Sequence, residues 1–371
     1  MRPGVTSGHT PHMTHQPLRI GIIGAGIWGT NHALALTTHP RCTVTLICDR
    51  DEARARRAGE RFDCAWTTTP EEMAASDVEA VTVATPDHLH REPVVQMLLA
   101  GKHVMVEKPL ATSVEDGLAM VAAAAHSGRY LMVDFHARWN PLFMDAKSYV
   151  DRGDLGAPVM AYARLNDTIW VPTEMLQWSG HSGPEWFLFP HTMDVVRWLF
   201  GREPVEVTAK GYRGVLERRG IPCWDAVQAM IEFEGGAFCT FETSWIMPDS
   251  YSNVVDNRLS IYGEKGGLEI RNEPPLWAFT DRFHTPFSSE PVTRYGKVWG
   301  YQYEPIRYFV DCVADEVTPE ASGADGLMVT AMIESTRRSL AEKRPVRIAQ
   351  VLDGGDAGPT GVVGIAGATP R

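Results

Sequence analysis

The sequence lacks three features that would place it in other classes of protein. Its six cysteines are scattered and no two of them form a C-x-x-C pair, so neither a zinc cluster nor a redox dithiol is indicated. No apolar run approaches the roughly 18 residues that a membrane-spanning helix requires. The net charge is −11 and no basic stripe is present, which makes nucleic acids and membranes poor candidate partners. We therefore expect a cytoplasmic protein with a small-molecule partner and no metal site.

The two ends of the chain also lack the periodic apolar residues of packed elements. Residues 1–17 are polar, without the apolar segment of a signal peptide, and are predicted to be a disordered leader. Residues 350–371 are rich in glycine, alanine and proline and are predicted to be a flexible tail. Because 44% of the whole chain is hydrophobic, the part between these ends can form the cores of two domains.

What the sequence does contain is a glycine-rich turn between two apolar strands, residues 20–23 and 43–48. Three glycines follow the first strand at G-x-G-x-x-G spacing: Gly24, Gly26 and Gly29. In a dinucleotide-binding βαβ unit the first glycine permits a tight turn, the second lets the backbone approach a pyrophosphate, and the third lets the helix pack against the sheet. Ile27 and Trp28 begin the helix whose free N–H groups would face the phosphates.

The end of the second strand bears on the choice of cofactor. Asp49 stands there, where a carboxylate accepts hydrogen bonds from the adenosine ribose and repels a 2′-phosphate. Arg50 follows directly, and an arginine at this point can accommodate a 2′-phosphate. The sequence therefore predicts NAD as the cofactor and leaves NADP open.

The order of strand and helix patterns predicts two domains. Strands and helices alternate over residues 18–135, which indicates a Rossmann domain with a parallel sheet. Over residues 136–349, period-two strands and glycine-rich turns predict an α+β domain with a large open, mostly antiparallel sheet. Helices are predicted on this second sheet over residues 191–200, 303–316 and 325–341. These helices are too few to cover both faces, so we expect subunit contacts in a homodimer or homotetramer.

Three further motifs stand in order behind the glycine turn. Thr-Pro-Asp-His-Leu-His follows a buried strand at residues 85–90, Glu-Lys-Pro follows the next at residues 107–109, and His-Thr-Met-Asp occupies residues 191–194. Together they resemble the glucose–fructose oxidoreductase/inositol dehydrogenase (Gfo/Idh/MocA) family over residues 19–348. The resemblance implies that the nicotinamide lies across the Rossmann edge, and that the substrate lies between this edge and the open sheet.

The resemblance also implies roles for individual residues. Lys108 corresponds to the family's site lysine, which contacts the cofactor and can donate a hydrogen bond to the substrate oxygen. His191 corresponds to the family's histidine, whose ordinary pKa near neutrality suits it to accept the hydroxyl proton. Arg138 matches a family arginine and is a candidate substrate contact, for which a structural role is favoured over a catalytic one. Cofactor contacts are implied for four residues beside the strand ends: Thr85, Pro86, His90 and Glu107.

One position departs from the family pattern. Many members carry an aspartate where this chain has Phe187, so the carboxylate that often orients the substrate or the base is missing. Glu185 and His181 in the preceding loop are candidate replacements, and His136 is a further candidate substrate contact. Three aromatic residues in the same loop suit a carbohydrate or aryl glycoside, or equally well a contact with another subunit: Trp170, Trp178 and Trp186.

The sequence leaves three functions to compare. The leading one is an NAD(P)-dependent oxidoreductase that transfers hydride between the nicotinamide and a secondary hydroxyl of a sugar, cyclitol or glycoside. The second is a hydrolase or lyase with tightly held NAD, which oxidises a ring carbon transiently and shows no net redox change. The third is a non-catalytic sugar sensor, which the missing aspartate favours and the presence of Lys108 and His191 disfavours.

Overall fold

The computed structural model describes residues 16–251, 253–271 and 292–354. Most of the predicted leader and tail, residues 1–15 and 355–371, therefore lies outside the described residues. The described chain forms a six-stranded sheet, a seven-stranded sheet and a two-stranded hairpin. None of the helices in these residues is long and apolar enough to cross a lipid bilayer.

The first sheet is entirely parallel and has the predicted doubly wound topology. Its strands are β1 (Leu18–Ile23), β2 (Cys42–Cys48), β3 (Ala65–Thr67), β4 (Ala80–Val83), β5 (His103–Glu107) and β6 (Leu131–Asp134). The connecting helices are α1 (Ile27–Leu36), α2 (Glu52–Phe62), α3 (Pro70–Ala75), α4 (Arg91–Leu99) and α5 (Val114–Ser127). The order β3-β2-β1-β4-β5-β6 reverses direction between β1 and β4, and ligands bind beyond the carboxyl ends of strands at such a switch point.

Local sequence explains where two of these helices begin and end. The Asp51 side chain accepts a hydrogen bond from the backbone N–H of Arg54, and the Ser113 side chain accepts one from Asp116. These bonds satisfy N–H groups that have no partner inside the first turns of α2 and α5. Helix α5 ends at Gly128, whose φ of 65° is left-handed and favours glycine.

The second sheet is built by the remainder of the chain. Helix α6 (Pro141–Asp151) leads into β7 (Pro158–Thr168), α7 (Pro184–Phe187), α8 (Phe189–Phe200), β8 (Pro204–Tyr212), β9 (Ala226–Phe233), β10 (Phe238–Met247), β11 (Val255–Gly263) and β12 (Gly267–Arg271). Strands β13 (Val292–Arg294) and β14 (Lys297–Trp299) form the hairpin, followed by α9 (Glu304–Asp315), α10 (Gly323–Glu342), β15 (Val346–Arg347) and α11 (Ile348–Leu352). In the order β12-β11-β7-β10-β9-β8-β15, β7 and β10 are the parallel pair, which confirms a mostly antiparallel sheet.

Alternate residues of this sheet face opposite sides. In β9 the buried residues are Val227, Ala229, Ile231 and Phe233, and the residues between them are exposed. The buried side packs against α8. The other side, which we call the open face, carries large apolar residues that are partly exposed: Met160, Met230, Phe238 and Tyr262.

Helix α9 packs against a different sheet from the one that was predicted. The prediction placed residues 303–316 on the second sheet, but α9 covers the first sheet beside α1. Ile306, Phe309 and Val310 join the apolar cluster that contains Ile20. The prediction was wrong because a helical repeat identifies an apolar face but not the surface that this face covers.

Helix α10 connects the two domains. A Cβ on Gly326 would lie 2.6 Å from the side chain of Val133 in β6, so α10 approaches the first domain very closely. At its other end, the Ser339 hydroxyl accepts a hydrogen bond of 3.0 Å from the backbone N–H of Ala209 in β8. The helix also contacts α8, and it therefore holds the two sheets in a fixed relation.

The predicted tail begins with a helix rather than with flexible chain. Helix α11 extends to Leu352, and its residues Ile348 and Val351 are buried. The prediction of a flexible tail from residue 350 was wrong for its first residues. The glycine and alanine content of the later residues concealed the apolar pair Ile348 and Val351, which is buried.

Candidate active site

The glycine turn after β1 meets distinct steric demands at each of its three glycines. Gly24 has a φ of 96°, and a Cβ there would lie 2.6 Å from the carbonyl oxygen of Ala84. A Cβ on Gly29 would lie 1.7 Å from the carbonyl oxygen of Gly24. A Cβ on Gly26 would meet no atom within 4 Å. Packing thus requires the first and third glycines, while the space beside Gly26 at the start of α1 fits a pyrophosphate.

Asp49 fixes the shape of this turn. Its two carboxylate oxygens accept hydrogen bonds of 2.9 Å from the backbone N–H groups of Ala25 and Asp51. The Arg54 guanidinium lies 3.5 Å from the same carboxylate, whereas Arg50 is exposed. Asp49 is therefore buried at the position where a cofactor ribose would lie, and Arg54 is a second cation at this corner that sequence analysis did not identify.

The loops after β4 and β5 are tied together by a histidine. The two ring nitrogens of His90 lie 2.8 Å from the carbonyl oxygen of Pro109 and 3.0 Å from that of Thr85. Burial lowers the pKa of His90, which favours the neutral ring. The Ser182 hydroxyl donates a hydrogen bond of 2.5 Å to Asp87, so the loop before α7 docks on the same edge.

Lys108 is buried at the end of β5 and points at the second domain. Its Nζ donates a hydrogen bond of 3.0 Å to the carbonyl oxygen of Phe187 and lies 4.0 Å from the centre of the Phe187 ring. Burial lowers the pKa of Lys108, although the charge of Glu107 opposes this effect. The lysine therefore presents a hydrogen-bond donor at the junction of the two domains.

His191 lies in the first turn of α8, and its ring centre is 4.8 Å from that of His136. Burial lowers the pKa of His191 well below its ordinary value, and the positive charge of Lys108 lowers it further. Burial also lowers the pKa of His136, to about 4. Both rings are neutral near pH 7, and a neutral imidazole can accept a proton.

Aromatic rings enclose His136. Trp28 stacks on it and Tyr301 lies across it at a tilt, each with a centroid distance of 5.8 Å. Trp28 comes from the glycine turn, and Tyr301 comes from the segment before α9. The sequence carried no signal for Tyr301, because its position depends on how α9 packs against the first sheet.

Beneath these groups lies a buried ionic cluster of His32, Glu107 and Asp134. The Nε2 atom of His32 is 3.2 Å from Glu107 and 3.6 Å from Asp134. Burial alone would lower the pKa of His32, but hydrogen bonds to Asp134 and Glu107 outweigh it and raise this pKa to about 9. Burial, reinforced by the charge of Glu107, raises the pKa of Asp134 to about 7. Sequence analysis identified neither His32 nor Asp134, because the pairing of β5 with β6 brings Asp134 beside Glu107 and the packing of α1 brings His32 to both.

The three side chains of this cluster also have the composition of a metal site. Their ligand atoms lie within 4.8 Å of one another. The raised pKa of His32 favours an imidazolium that pairs with the carboxylate of Glu107, and an imidazolium cannot bind a metal. We assign no metal to the cluster, and the absence of a metal stays a prediction.

Arg138 ties the segment after β6 to α8 and α10. Its Nε and Nη2 atoms donate hydrogen bonds of 2.8 Å and 2.6 Å to Asp194 in α8, and both residues are buried. Asp325 at the start of α10 lies 3.8 Å from the same guanidinium. A bidentate pair of this kind fixes geometry, in keeping with the structural role that was predicted.

The aromatic loop before α8 is divided between the site and the core. Phe187 packs against Trp178 and Trp245, with ring centroids 6.1 Å and 5.6 Å away, and we call these three residues the aromatic wall. Trp186, in contrast, is 4% exposed and belongs to the hydrophobic core, and its role as a substrate contact stays a prediction. Trp170 is exposed at the end of β7. The eight-residue spacing of the three tryptophans could not separate these environments.

Among the described residues, neither candidate replacement for the missing aspartate makes a hydrogen bond or a ring contact with Lys108. Glu185 is buried, and its carboxylate accepts a hydrogen bond of 2.8 Å from Arg337 in α10. His181 is exposed and stacks on His88, with ring centroids 5.4 Å apart. Glu185 is therefore committed to the contact between α7 and α10, and His181 to the contact between the two loops.

A dinucleotide turn beside a buried lysine and a neutral histidine defines a class of protein, the nicotinamide-dependent oxidoreductases. Two family models agree with this assignment. Residues 18–135 match "Oxidoreductase family, NAD-binding Rossmann fold", and residues 143–269 match "GFO/IDH/MocA C-terminal domain". The chain belongs to the Gfo/Idh/MocA oxidoreductase family, which confirms the resemblance, and it is an NAD-dependent oxidoreductase.

Individual relatives extend over nearly the whole chain. The inositol 2-dehydrogenase of Rhizobium meliloti strain 1021 is 28% identical over 90% of this chain and 99% of its own length. The inositol 2-dehydrogenase of Acidothermus cellulolyticus is 31% identical over 71% of this chain and 75% of its own length. The crystal structure of GenD2 from gentamicin A biosynthesis in complex with NAD superimposes with a TM-score of 0.77, at 26% identity, over 92% of this chain and 99% of GenD2.

Proposed function

We propose that this protein oxidises a secondary hydroxyl group on a cyclitol or sugar-like ring with NAD, and reduces the corresponding ketone in the reverse direction. The observation that carries the proposal is that Lys108 contacts Phe187 across the junction of the two domains, and that His191 follows four residues later in the first turn of α8. The positive charge of Lys108 adds to the effect of burial in lowering the pKa of His191. The names of the two inositol 2-dehydrogenases support a ring alcohol as substrate.

The chemistry divides between these two side chains. Oxidation of an alcohol removes a hydride from carbon and a proton from oxygen, and NAD when bound accepts the hydride. Neutral His191 accepts the proton, since its ring is neutral at pH 7. Lys108 donates a hydrogen bond to the same oxygen and stabilises it as its negative charge develops. Glu107 is held by His32 and accepts a hydrogen bond of 3.2 Å from the backbone N–H of Lys108, which orients the lysine.

The proposed NAD contacts come from the two strand ends beside the switch point. The glycine turn holds the pyrophosphate, and Asp49 with Arg50 borders the adenosine ribose. The proposed contacts near the nicotinamide are Ile27, Trp28, Thr85, Pro86, His90, Glu107 and Lys108. His136 lies between Trp28 and His191 and is proposed to contact the substrate.

A substrate screen tests the proposal. The purified protein is incubated with myo-inositol, scyllo-inositol, D-glucose and p-nitrophenyl glucoside, each with NAD and with NADP, and NADH or NADPH absorbance is followed. We expect NADH formation with at least one ring alcohol and a preference for NAD. Release of p-nitrophenol without NADH would replace the proposal with the NAD-assisted hydrolase or lyase. Binding of a polyol without any turnover would replace it with the sensor.

We also propose a homodimer or homotetramer that assembles through the open face. Strand register places Met160 opposite both Phe238 and Tyr262, so these partly exposed side chains form one row across three strands. Rows of exposed apolar residues of this kind are typical of subunit contacts. Light scattering should return a multiple of 41.1 kDa. Phe238→Glu should yield a monomer, whereas Leu99→Glu, at an exposed position of α4, should leave the oligomer intact. A monomeric wild-type protein would refute the proposal.

A cytoplasmic location is the last part of the proposal. All six cysteines are unpaired and five of them are buried, which suits a reducing compartment. Fractionation of cells that produce the protein, followed by immunodetection, should find it with cytoplasmic markers, and recovery with an exported fraction would contradict this.

A further inference from the structure

Asp167 is a buried carboxylate on the side of β7 that faces the candidate site. The preceding residues on the same side are Ala161, Ala163 and Leu165, which are buried against the helical layer that contains α8. Because alternate residues of a strand share a face, Asp167 continues this row toward the end of β7. It is 3% exposed, although its neighbours in the row are all apolar.

The carboxylate of Asp167 is only half satisfied by protein. Its Oδ2 atom accepts a hydrogen bond of 3.3 Å from Nε1 of Trp245. Among the described residues, no recorded hydrogen bond reaches its Oδ1 atom and no cation lies within ion-pair distance of it. Burial raises the pKa of Asp167 to about 7, and the positive charge of Lys108 opposes this effect. A single long bond to an indole does not compensate for burying a carboxylate, so the group is expected to serve a ligand.

A chain of contacts connects Asp167 with the reacting groups. The ring of Trp245, which holds Asp167, packs against Phe187, and the Phe187 ring lies beneath the ammonium of Lys108. In addition, the charge of Asp167 raises the pKa of Lys108, and the charge of Lys108 lowers the pKa of Asp167. A ring lying against the aromatic wall could therefore reach Lys108 with one hydroxyl and Asp167 with another.

We propose that Asp167 is a substrate-binding residue whose free oxygen accepts a hydrogen bond from the hydroxyl next to the one being oxidised, while Phe187 packs against the C–H face of the ring and the fully buried Trp245 supports Phe187 from behind. The inference rests on the proposed function and narrows its substrate class to rings with two neighbouring hydroxyls and one apolar face. Asp167 thereby supplies, from β7, the carboxylate that position 187 does not supply.

The test compares two substrates in two variants. The substrates are the inositol on which the wild-type protein is most active and its deoxy analogue, which lacks the hydroxyl next to the reacting carbon. Asp167→Asn is matched with Glu242→Gln, a carboxylate on the open face that accepts hydrogen bonds from Tyr162 and Asn166. NAD affinity is measured in parallel by fluorescence titration, and folding by thermal unfolding.

The proposal predicts a split between the substrates. Asp167→Asn should lower kcat/KM for the inositol by about 10- to 100-fold and for the deoxy analogue by less than about threefold, with NAD affinity unchanged. Glu242→Gln should change neither value by more than about twofold. If Asp167→Asn does not fold, Asp167→Ser must show the same split between the two substrates.

Two results would overturn the proposal and are distinguishable from each other. Equal losses for both substrates, or none, in an otherwise active protein would remove Asp167 from the substrate site and leave the proposed function intact. A wild-type protein that neither oxidises nor binds any of the screened ring alcohols would remove the proposed function and, with it, this role of Asp167.

Discussion

The glycine turn and the aromatic wall are the two halves of the candidate site, and they are constrained in different ways. In the turn, a side chain on Gly29 would overlap the backbone of Gly24, and a side chain on Gly24 would overlap the backbone of Ala84, just after β4. In the wall, Phe187 and Trp245 come from elements far apart in sequence and meet through side chains alone. The cofactor half is thus specified by backbone geometry and permits little variation, whereas the substrate half can change its chemistry without changing the fold.

The largest expected effect lies on the substrate half. His191→Ala should lower kcat by about 10²- to 10⁴-fold, because the hydroxyl proton then has no acceptor. Lys108→Ala should be comparably damaging to kcat, and His191→Ala should keep NAD affinity within about threefold, because His191 is not among the proposed NAD contacts. His126→Ala, at an exposed position in α5, is the matched control. Near-normal turnover in His191→Ala would place the base elsewhere, with His181 as the first candidate.

A pair of glycine variants tests the cofactor half. Gly29→Ala should lower the free energy of unfolding by about 2–3 kcal/mol, because its Cβ would overlap the carbonyl oxygen of Gly24. Gly26→Ala should change it by less than about 0.5 kcal/mol, since its Cβ meets open space, but should still weaken NAD binding by approaching the pyrophosphate. Denaturant unfolding and NAD titration measure the two effects. Equal destabilisation by both substitutions would contradict the assignment of separate roles.

The ionic cluster beneath both halves predicts a pH dependence of stability. The pKa of His32 in the folded protein, about 9, is above its ordinary 6.5, so its stabilisation is complete below pH 6.5 and is lost as pH rises through 9. Over this range, the wild type should lose on the order of 2 kcal/mol of unfolding free energy relative to His32→Gln. The exposed His126→Gln serves as the control and should follow the wild type. Parallel curves for wild type and His32→Gln would show that His32 is not held as a cation.

The smallest effect concerns the choice between NAD and NADP. Arg50→Ala should weaken NADP binding by about three- to fivefold and NAD binding by less than about twofold, because an exposed charge contributes at most about 1 kcal/mol. Fluorescence titration of both cofactors measures these changes. Wild-type protein that binds NADP as tightly as NAD would show that Arg50 and Arg54 outweigh the carboxylate of Asp49.

The sequence allowed prediction wherever the determining contacts are local. The glycine spacing, the strand before it and the acid that ends β2 lie within one βαβ unit, and these predictions needed no knowledge of distant packing. The elements of the second sheet were predicted from period-two alternation in the same way. The placement of α9, the core position of Trp186 and the meeting of His32 with Asp134 depend on contacts between distant segments, and no local pattern encodes them. Asp167 escaped notice for the same reason, since only the pairing of β7 with β10 brings it to Trp245.

The packing of α9 and α10 on the first sheet has a consequence for how the protein is made. The ribosome completes the strands of the first sheet when residue 134 has been synthesised, but α9 begins at Glu304 and α10 ends at Glu342. For nearly half of translation, from residue 134 to the end of α9 at Asp315, the part of that sheet formed by β5 and β6 therefore lacks the cover that α9 supplies. Domains usually fold in the order of synthesis, whereas this one must wait for the last segment to emerge. Residues 18–135 produced alone would expose Met105 and Met132 on β5 and β6, and such a fragment would depend on chaperones to stay out of aggregates.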